Sequence, residues 1–168
     1  CGYYLASVGI EFGSDRMLEA TQKGATCSEI AEGIRTIRKV GLDIAGFFII
    51  GYPGETREEI LQTIRFACEL PLIRANFFTF LPLPGTEAYR LLEQELQLEK
   101  VDWEHFGFTH ASYAASGMSE KELKNLQRVA FMRFYLRPGI FWRNVRDIKS
   151  VRQFGYLLKR AYRWVIAR

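Results

Sequence analysis

At 168 residues, with 48% hydrophobic and 25% charged residues, the chain has the composition of an ordinary globular protein with ample length for a core. No run approaches the ~20 uninterrupted apolar residues that span a bilayer, and the first residues do not show a basic-then-apolar signal pattern. The net charge of +4 is unevenly shared: residues 133–168 carry ten Lys/Arg against one acid, Asp147 (+9), and the preceding residues thirteen bases against eighteen acids (−5). The tail is therefore a separate electrostatic object.

The chain opens on Cys1-Gly2-Tyr3-Tyr4, without a methionine, and runs straight into a strand-like pattern, so it reads as a piece of a longer polypeptide. "LASVGIEF" (5–12) is a short apolar run predicting a buried strand that stops at Gly13-Ser14. "SDRMLEATQKG" predicts a short helix with Ser14 as N-cap and Gly24 beyond its end. In "TCSEIAEGIRTIRKVG", Thr26 and Glu29 form a capping box, Ile30, Ile34 and Ile37 an apolar stripe, and Gly41 a stop. "DIAGFFIIG" (43–51) predicts a strand covered on both faces. A second capping box, Thr56 with Glu59, opens a helix whose Ile60, Ile64 and Ala67 face inward and which Pro71 limits. "RANFFTFLPLPGT" (74–86) predicts a third strand, and "EAYRLLEQEL" a helix. From about residue 93 the pattern weakens, until Ser119 and Glu122 box a helix running to Tyr135, which Pro138 breaks.

Strands alternating with helices through short connections predict βα units and a parallel sheet. Right-handed crossovers then gather three unusual corners on one rim: Glu11 to Ser14, Gly51 to Glu55, and Leu81 to Thr86. In α/β folds, ligands bind outside these carboxyl ends. Gly51 leaves room for a ligand at the backbone, and Ile49 and Ile50 offer apolar surface to an aromatic ring such as adenine. A tight βα turn accounts for Gly-Tyr-Pro-Gly equally well. Glu11, an acid ending an apolar strand, must be paired. It suits a ribose diol or an ammonium group, with Ser14 as a further polar handle, or else a neighbouring base on the rim. The Gly51–Thr56 turn lacks the lysine of a phosphate-binding P-loop, and no Ser/His/Asp or Cys/His spacing marks a catalytic set. Cys1, Cys27 and Cys68 are far apart and odd in number, a poor disulfide framework that suits a reducing cytosol. None of them makes a CxxC metal pair, and His105 and His110 read as loop histidines rather than zinc ligands.

Three ordered motifs between residues 8 and 89 carry a resemblance: "VGIEFGSDRML", "GFFIIGYPGET" and "NFFTFLPLPGTEAY". Together they resemble the second half of a radical S-adenosylmethionine (SAM) enzyme core. The likeness is strongest to the branch with an N-terminal cobalamin-binding domain, that of anaerobic porphyrin-ring cyclases and P-methylases. The tail "RFYLRPGIF" resembles the segment after the core in that branch. The resemblance implies a partial TIM-like (βα) barrel of about three βα units with parallel strands, followed by an α-helical extension. The expected segments are residues 1–92 for the half barrel, 93–118 for a connection and 119–168 for a basic, aromatic extension. It implies that Glu11 and Ser14 contact the SAM ribose or amino group, that Ile49, Ile50 and Gly51 flank adenine, and that Leu81 and Pro82 close over it. Phe12 stands where that family usually has Ser or Thr. It also implies a 4Fe-4S cluster, with cobalamin as a second cofactor, and reductive cleavage of SAM to a 5′-deoxyadenosyl radical. The CxxxCxxC loop that binds the cluster is missing, so the chain is expected to be catalytically silent, with its cluster ligands in a preceding part of the same polypeptide.

Two further expectations concern partners. A half barrel with open strand edges should self-associate. The tail interleaves its bases with Phe134, Tyr135, Phe141, Trp142, Phe154, Tyr156, Tyr162 and Trp164. It is open to three readings: an amphipathic helix packed on the barrel, a segment on an anionic membrane surface, or, least favoured, a nucleic-acid contact. The setting expected is cytoplasmic, with the membrane surface as its periphery. The alternative function is a noncatalytic βα module for nucleotide binding or scaffolding.

Overall fold

The computed structural model describes residues 2–90 and 118–148, together with Ser150, Arg152, Gly155, Tyr156 and Lys159. The elements run β1 (Leu5–Glu11), α1 (Asp15–Ala20), α2 (Cys27–Lys39), β2 (Asp43–Ile50), α3 (Arg57–Glu69), β3 (Arg74–Thr79), α4 (Glu120–Tyr135) and α5 (Pro138–Arg146). The chain divides into two compact units after Phe134. The first is an α/β unit built on a three-stranded sheet of order β1-β2-β3 with both pairs parallel, the partial βα fold anticipated. The second holds α5.

Central β2 explains its apolar sequence. Its Ile44, Phe48 and Ile50 are fully buried, and Phe48 stacks on Phe77 of β3 at 5.1 Å between ring centroids. The opposite face, with Phe47 stacked on Phe78 at 6.0 Å, is half-buried. Two of the three expected capping boxes form in full: Thr26 with Glu29 starts α2, and Thr56 with Glu59 starts α3, each threonine accepting an N–H and each glutamate returning the bond; at the third, Glu122 N–H donates to Ser119 Oγ at 3.2 Å. Ile60, Ile64 and Ala67 are wholly buried along α3, and Ile34 on α2.

Two boundaries and one cap differ from expectation. The third strand ends at Thr79 rather than reaching Thr86, because Pro82 and Pro84 cannot donate to a ladder. The helix α1 stops at Ala20, several residues short of Gly24; Gln22 (φ 53) and Gly24 (φ 72) both take the left-handed conformation in the turn that follows. Ser14 sits at the N-cap of α1 without a capping bond, since its hydroxyl is engaged elsewhere. The helix expected at 87–96 is seen in residues 87–90; the rest of it, with His105 and His110, lies outside the described residues.

The first helix of the expected extension, α4, belongs to the sheet unit. Its Leu123, Leu126, Ala130 and Phe134 are buried, Phe131 packs edge-on to Phe77 at 5.5 Å, and Gln127 Nε2 donates to the Phe77 carbonyl at 2.7 Å. Because β3 has a strand neighbour on one side only among the described residues, this bond satisfies a backbone acceptor that would otherwise need water.

The loop after β1 is pressed onto α3. The Gly13 N–H donates to Thr63 Oγ1 at 2.9 Å, and a Cβ on Gly13 would lie 2.6 Å from the Thr63 Cα and 2.7 Å from the Phe66 Cβ. These are backbone-anchored atoms that cannot swing away. We therefore expect Gly13→Ala to lower stability by roughly 1–3 kcal/mol in urea unfolding, and Thr63→Val to cost about 1–3 kcal/mol through the orphaned amide.

Candidate functional site

The carboxyl ends of the three strands do share one rim, and an aromatic row joins them. Phe12 follows β1, Tyr52 follows β2 and Phe80 follows β3. Tyr52 lies edge-on to both neighbours, at 5.8 Å from Phe12 and 4.7 Å from Phe80. Ile49 packs against this row from the half-buried face of β2. Phe12 is buried against Tyr52 with Met17 and Leu18, so this position offers ring surface and no hydroxyl.

The β2 and β3 corners are built alike. Tyr52-Pro53-Gly54-Glu55 closes with Glu55 N–H on the Tyr52 carbonyl at 2.9 Å, and Leu83-Pro84-Gly85-Thr86 with Thr86 N–H on the Leu83 carbonyl at 3.2 Å. Proline precedes glycine in both, and Gly54 and Gly85 have φ of 75 and 86, the pattern of a type II turn. A capping threonine, Thr56 or Thr86, then starts the next helix.

Glu11 ends β1 at a bulge, where the pairing steps from Gly9↔Phe47 to Glu11↔Phe48. Its φ is 66, and Phe12 N–H closes the turn on the Ile10 carbonyl at 2.9 Å. This left-handed backbone in a non-glycine residue stores strain. The carboxylate folds back over Gly9 and accepts from Lys23 Nζ at 3.1 Å. Glu11 thus meets the neighbouring base, and both partners remain about a quarter exposed at the rim.

Ser14 is buried and donates to Glu59 Oε1 at 3.0 Å. Arg16 grips the same carboxylate through Nε at 2.7 Å and through Nη2, which also donates to the Gly54 carbonyl at 2.8 Å. Thr56 supplies its N–H and hydroxyl to Glu59 Oε2. With the Arg16 guanidinium as its chief partner, Glu59 is held down at about 2.

Glu55 behaves oppositely. It is 1% exposed; Oε2 accepts Gly51 N–H at 2.6 Å and Tyr52 N–H at 3.1 Å, and Oε1 has no hydrogen-bond partner. Burial outweighs those two donors and pushes its carboxyl up to about 8. Sequence reading placed Glu55 at the β2 corner and Glu59 in a capping box, but not their contacts across the rim, and it did not single out Arg16 or Lys23. The signal available was an acid four positions after Gly51 in a turn that hydrogen bonding must hold.

Of the remaining expected residues, Ile50 is wholly buried on the helix-facing side, so its side chain is not on the rim. Gly51 (φ 78) faces α4: a Cβ there would lie 2.6 Å from Leu123 Cδ2, so protein fills the space that its missing side chain leaves. Leu81 is half-buried and Pro82 buried just beyond β3. Cys27 begins α2, its N–H on Asp15 Oδ1 at 2.7 Å, and burial with the Asp15 carboxylate pushes its thiol up to about 12. Cys27 and Cys68 stand on two separate helices rather than in one CxxxCxxC loop, so these two do not fit a cluster's ligand set.

In a parallel βα unit the carboxyl ends of the strands are where ligands bind, and the aromatic row and the paired charges both stand at those ends. Residues 2–67 match the family model of the Radical SAM superfamily, and the chain belongs to it. An uncharacterized methyltransferase of Pyrococcus horikoshii is 33% identical over 165 residues, 98% of this chain and 35% of that protein. The tRNA-2-methylthio-N(6)-dimethylallyladenosine synthase of Saccharophagus degradans is 32% identical over 122 residues, 71% of this chain and 27% of the relative. The synthase of the same name from Neisseria meningitidis is 36% identical over 94 residues, 55% of this chain and 21% of the relative. The chain thus spans between about a fifth and a third of the length of these relatives.

The two rim carboxylates predict a pH profile. Glu59, lowered in the fold, adds stability above the ordinary carboxylate range that is lost as pH falls toward 2. Glu55, raised in the fold, adds stability below that range that is lost as pH rises toward 8. Stability should peak near pH ~5 and decline on the alkaline side by up to about 1.4 kcal/mol per pH unit. In thermal unfolding between pH 2 and 9, Glu55→Gln should flatten the alkaline limb and leave the acid limb intact.

Proposed function

We propose that this chain supplies part of the SAM site of a radical SAM enzyme, and that the ligands of the 4Fe-4S cluster lie outside it. The observation that carries this reading is the Glu11–Lys23 pair standing at the rim beside the Phe12–Tyr52–Phe80 row, within and beside the stretch that matches the superfamily. The rim's chemistry fits the ligand. A carboxylate and an ammonium group 3.1 Å apart complement the two charges of an amino-acid end, and Glu11 also suits a ribose diol. Ile49 and Tyr52 offer apolar surface to the base, Leu81 and Pro82 flank it, and Gly51 takes part through its backbone. Ser14 acts through Glu59, holding the first corner in place rather than touching the ligand.

Bound beside a reduced cluster, SAM supplies radical chemistry; this chain's residues bind and orient it. Glu55 fixes the two amides of the β2 corner, and the buried aromatic row keeps water from the floor. The cysteines described here do not suit the cluster, so by itself the chain is proposed to be catalytically silent. The outer side of β1, which pairs with β2 alone among the described residues, is where a preceding part of the polypeptide would continue the barrel; left open, it would favour self-association. For the whole protein, the Pyrococcus relative's name supports methyl transfer as the outcome, and the resemblance of the tail to the cobalamin-linked branch supports cobalamin as a second cofactor. A cytoplasmic setting belongs to the same reading.

Equilibrium dialysis of SAM against the chain tests the site. Glu11→Gln should weaken binding by about tenfold or more, as expected for a lost charged hydrogen bond, whereas Glu19→Gln on the exposed side of α1 should leave it unchanged. The longer polypeptide should carry a CxxxCxxC ahead of this segment and, once reconstituted anaerobically, release 5′-deoxyadenosine from SAM. A polypeptide without that motif whose rim also ignores SAM would return the chain to the noncatalytic βα module.

A further inference from the structure

In the second compact unit, α5 begins on Pro138, whose fixed φ suits a first helical position, and runs to Arg146. At helical spacing, Phe141, Trp142 and Val145 share one face, with Arg146 and Arg143 on its flank. That face is turned outward: Phe141 is 43%, Trp142 67% and Val145 41% exposed, and Leu136, just before the helix, 62%. Trp142, Val145, Arg143, Arg146 and Gly139 surround one surface hollow, so two guanidinium-bearing side chains and an indole border the same space. This cluster lies within the stretch of net charge +9.

We propose that the α5 face docks on an anionic lipid bilayer, lying in the plane of the headgroups. Apolar side chains left in water next to a dense positive charge mark a surface that meets a partner both negative and greasy. A bilayer meets both demands: Phe141, Val145 and Leu136 enter the acyl boundary, Trp142 sits at the headgroup level, and Arg143 and Arg146 reach lipid phosphates around the hollow. Nucleic acid would engage the cations and stack on a ring, but would leave the aliphatic residues in water. Nine residues cannot span a bilayer, and no helix among the described residues is long and apolar enough to cross a membrane, so the contact is peripheral.

The test is sedimentation of the 168-residue chain with vesicles, either of phosphatidylcholine alone or of three parts phosphatidylcholine to one part phosphatidylglycerol. The chain should bind the anionic vesicles, prefer them to the neutral ones by at least about tenfold, and be released at about 1 M salt, where charges are screened within a few ångströms. Reversing both charges (Arg143→Glu with Arg146→Glu) should weaken binding by about twentyfold or more, and Trp142→Ala by about tenfold, with helicity by circular dichroism unchanged. Brominated lipid should quench the wild-type fluorescence more than that of Trp142→Phe. Equal binding to both vesicle types, no binding, variants that bind like wild type, or a stronger affinity for an RNA oligonucleotide than for the anionic vesicles would each overturn the proposal.

Discussion

One carboxylate holds the rim together. Glu59 accepts five hydrogen bonds: from the Ser14 hydroxyl, twice from Arg16, and from the Thr56 amide and hydroxyl. That uses essentially all the acceptor capacity of a carboxylate. A residue whose local duty is to cap α3 thereby ties the corner after β1 to the corner after β2. Arg16 extends the tie to the Gly54 carbonyl, inside the Pro-Gly turn. Since Glu59 is nearly buried and its chief partner is a planar fork, the arrangement fixes direction as well as distance.

The second carboxylate of the rim obeys a different logic. Glu55 takes only two backbone donors and leaves one oxygen without a partner, in surroundings that favour its neutral form. Two glutamates one helical turn apart are thus driven to opposite protonation states, Glu59 by its cationic partner and Glu55 by burial. The ionised one fastens loops together, and the buried one shapes the backbone of a single corner. The Glu11–Lys23 pair, by contrast, stays partly exposed to solvent.

Much of the fold was legible because its signals are local. Capping boxes, Pro-Gly turns and the continuous apolar run of β2 each act within a few residues, and each formed where its residues stand. The common rim was legible because parallel topology is a consequence of strand–helix alternation. What escaped were side-chain contacts made across the chain. Ser14 had every mark of an N-cap, yet its hydroxyl turns to a residue on another helix. Ile49 and Ile50 looked equivalent in sequence, but a strand sends neighbours to opposite faces, and only Ile49 reaches the rim. Gly51 looked like room for a ligand and proved to be room for Leu123, a residue no local pattern could connect to it.

That last contact also bears on the order in which the molecule assembles. The Pro-Gly turn and capping box at the β2 corner can form from neighbouring residues as soon as they leave the ribosome. Leu123 arrives some seventy residues later, on the helix that also covers Phe77. Until then the back of the corner is an unfilled notch, with high loop-closure entropy between it and its filler. The β2 corner is therefore completed by α4, and a nascent chain has a recognisable corner well before it has a finished one.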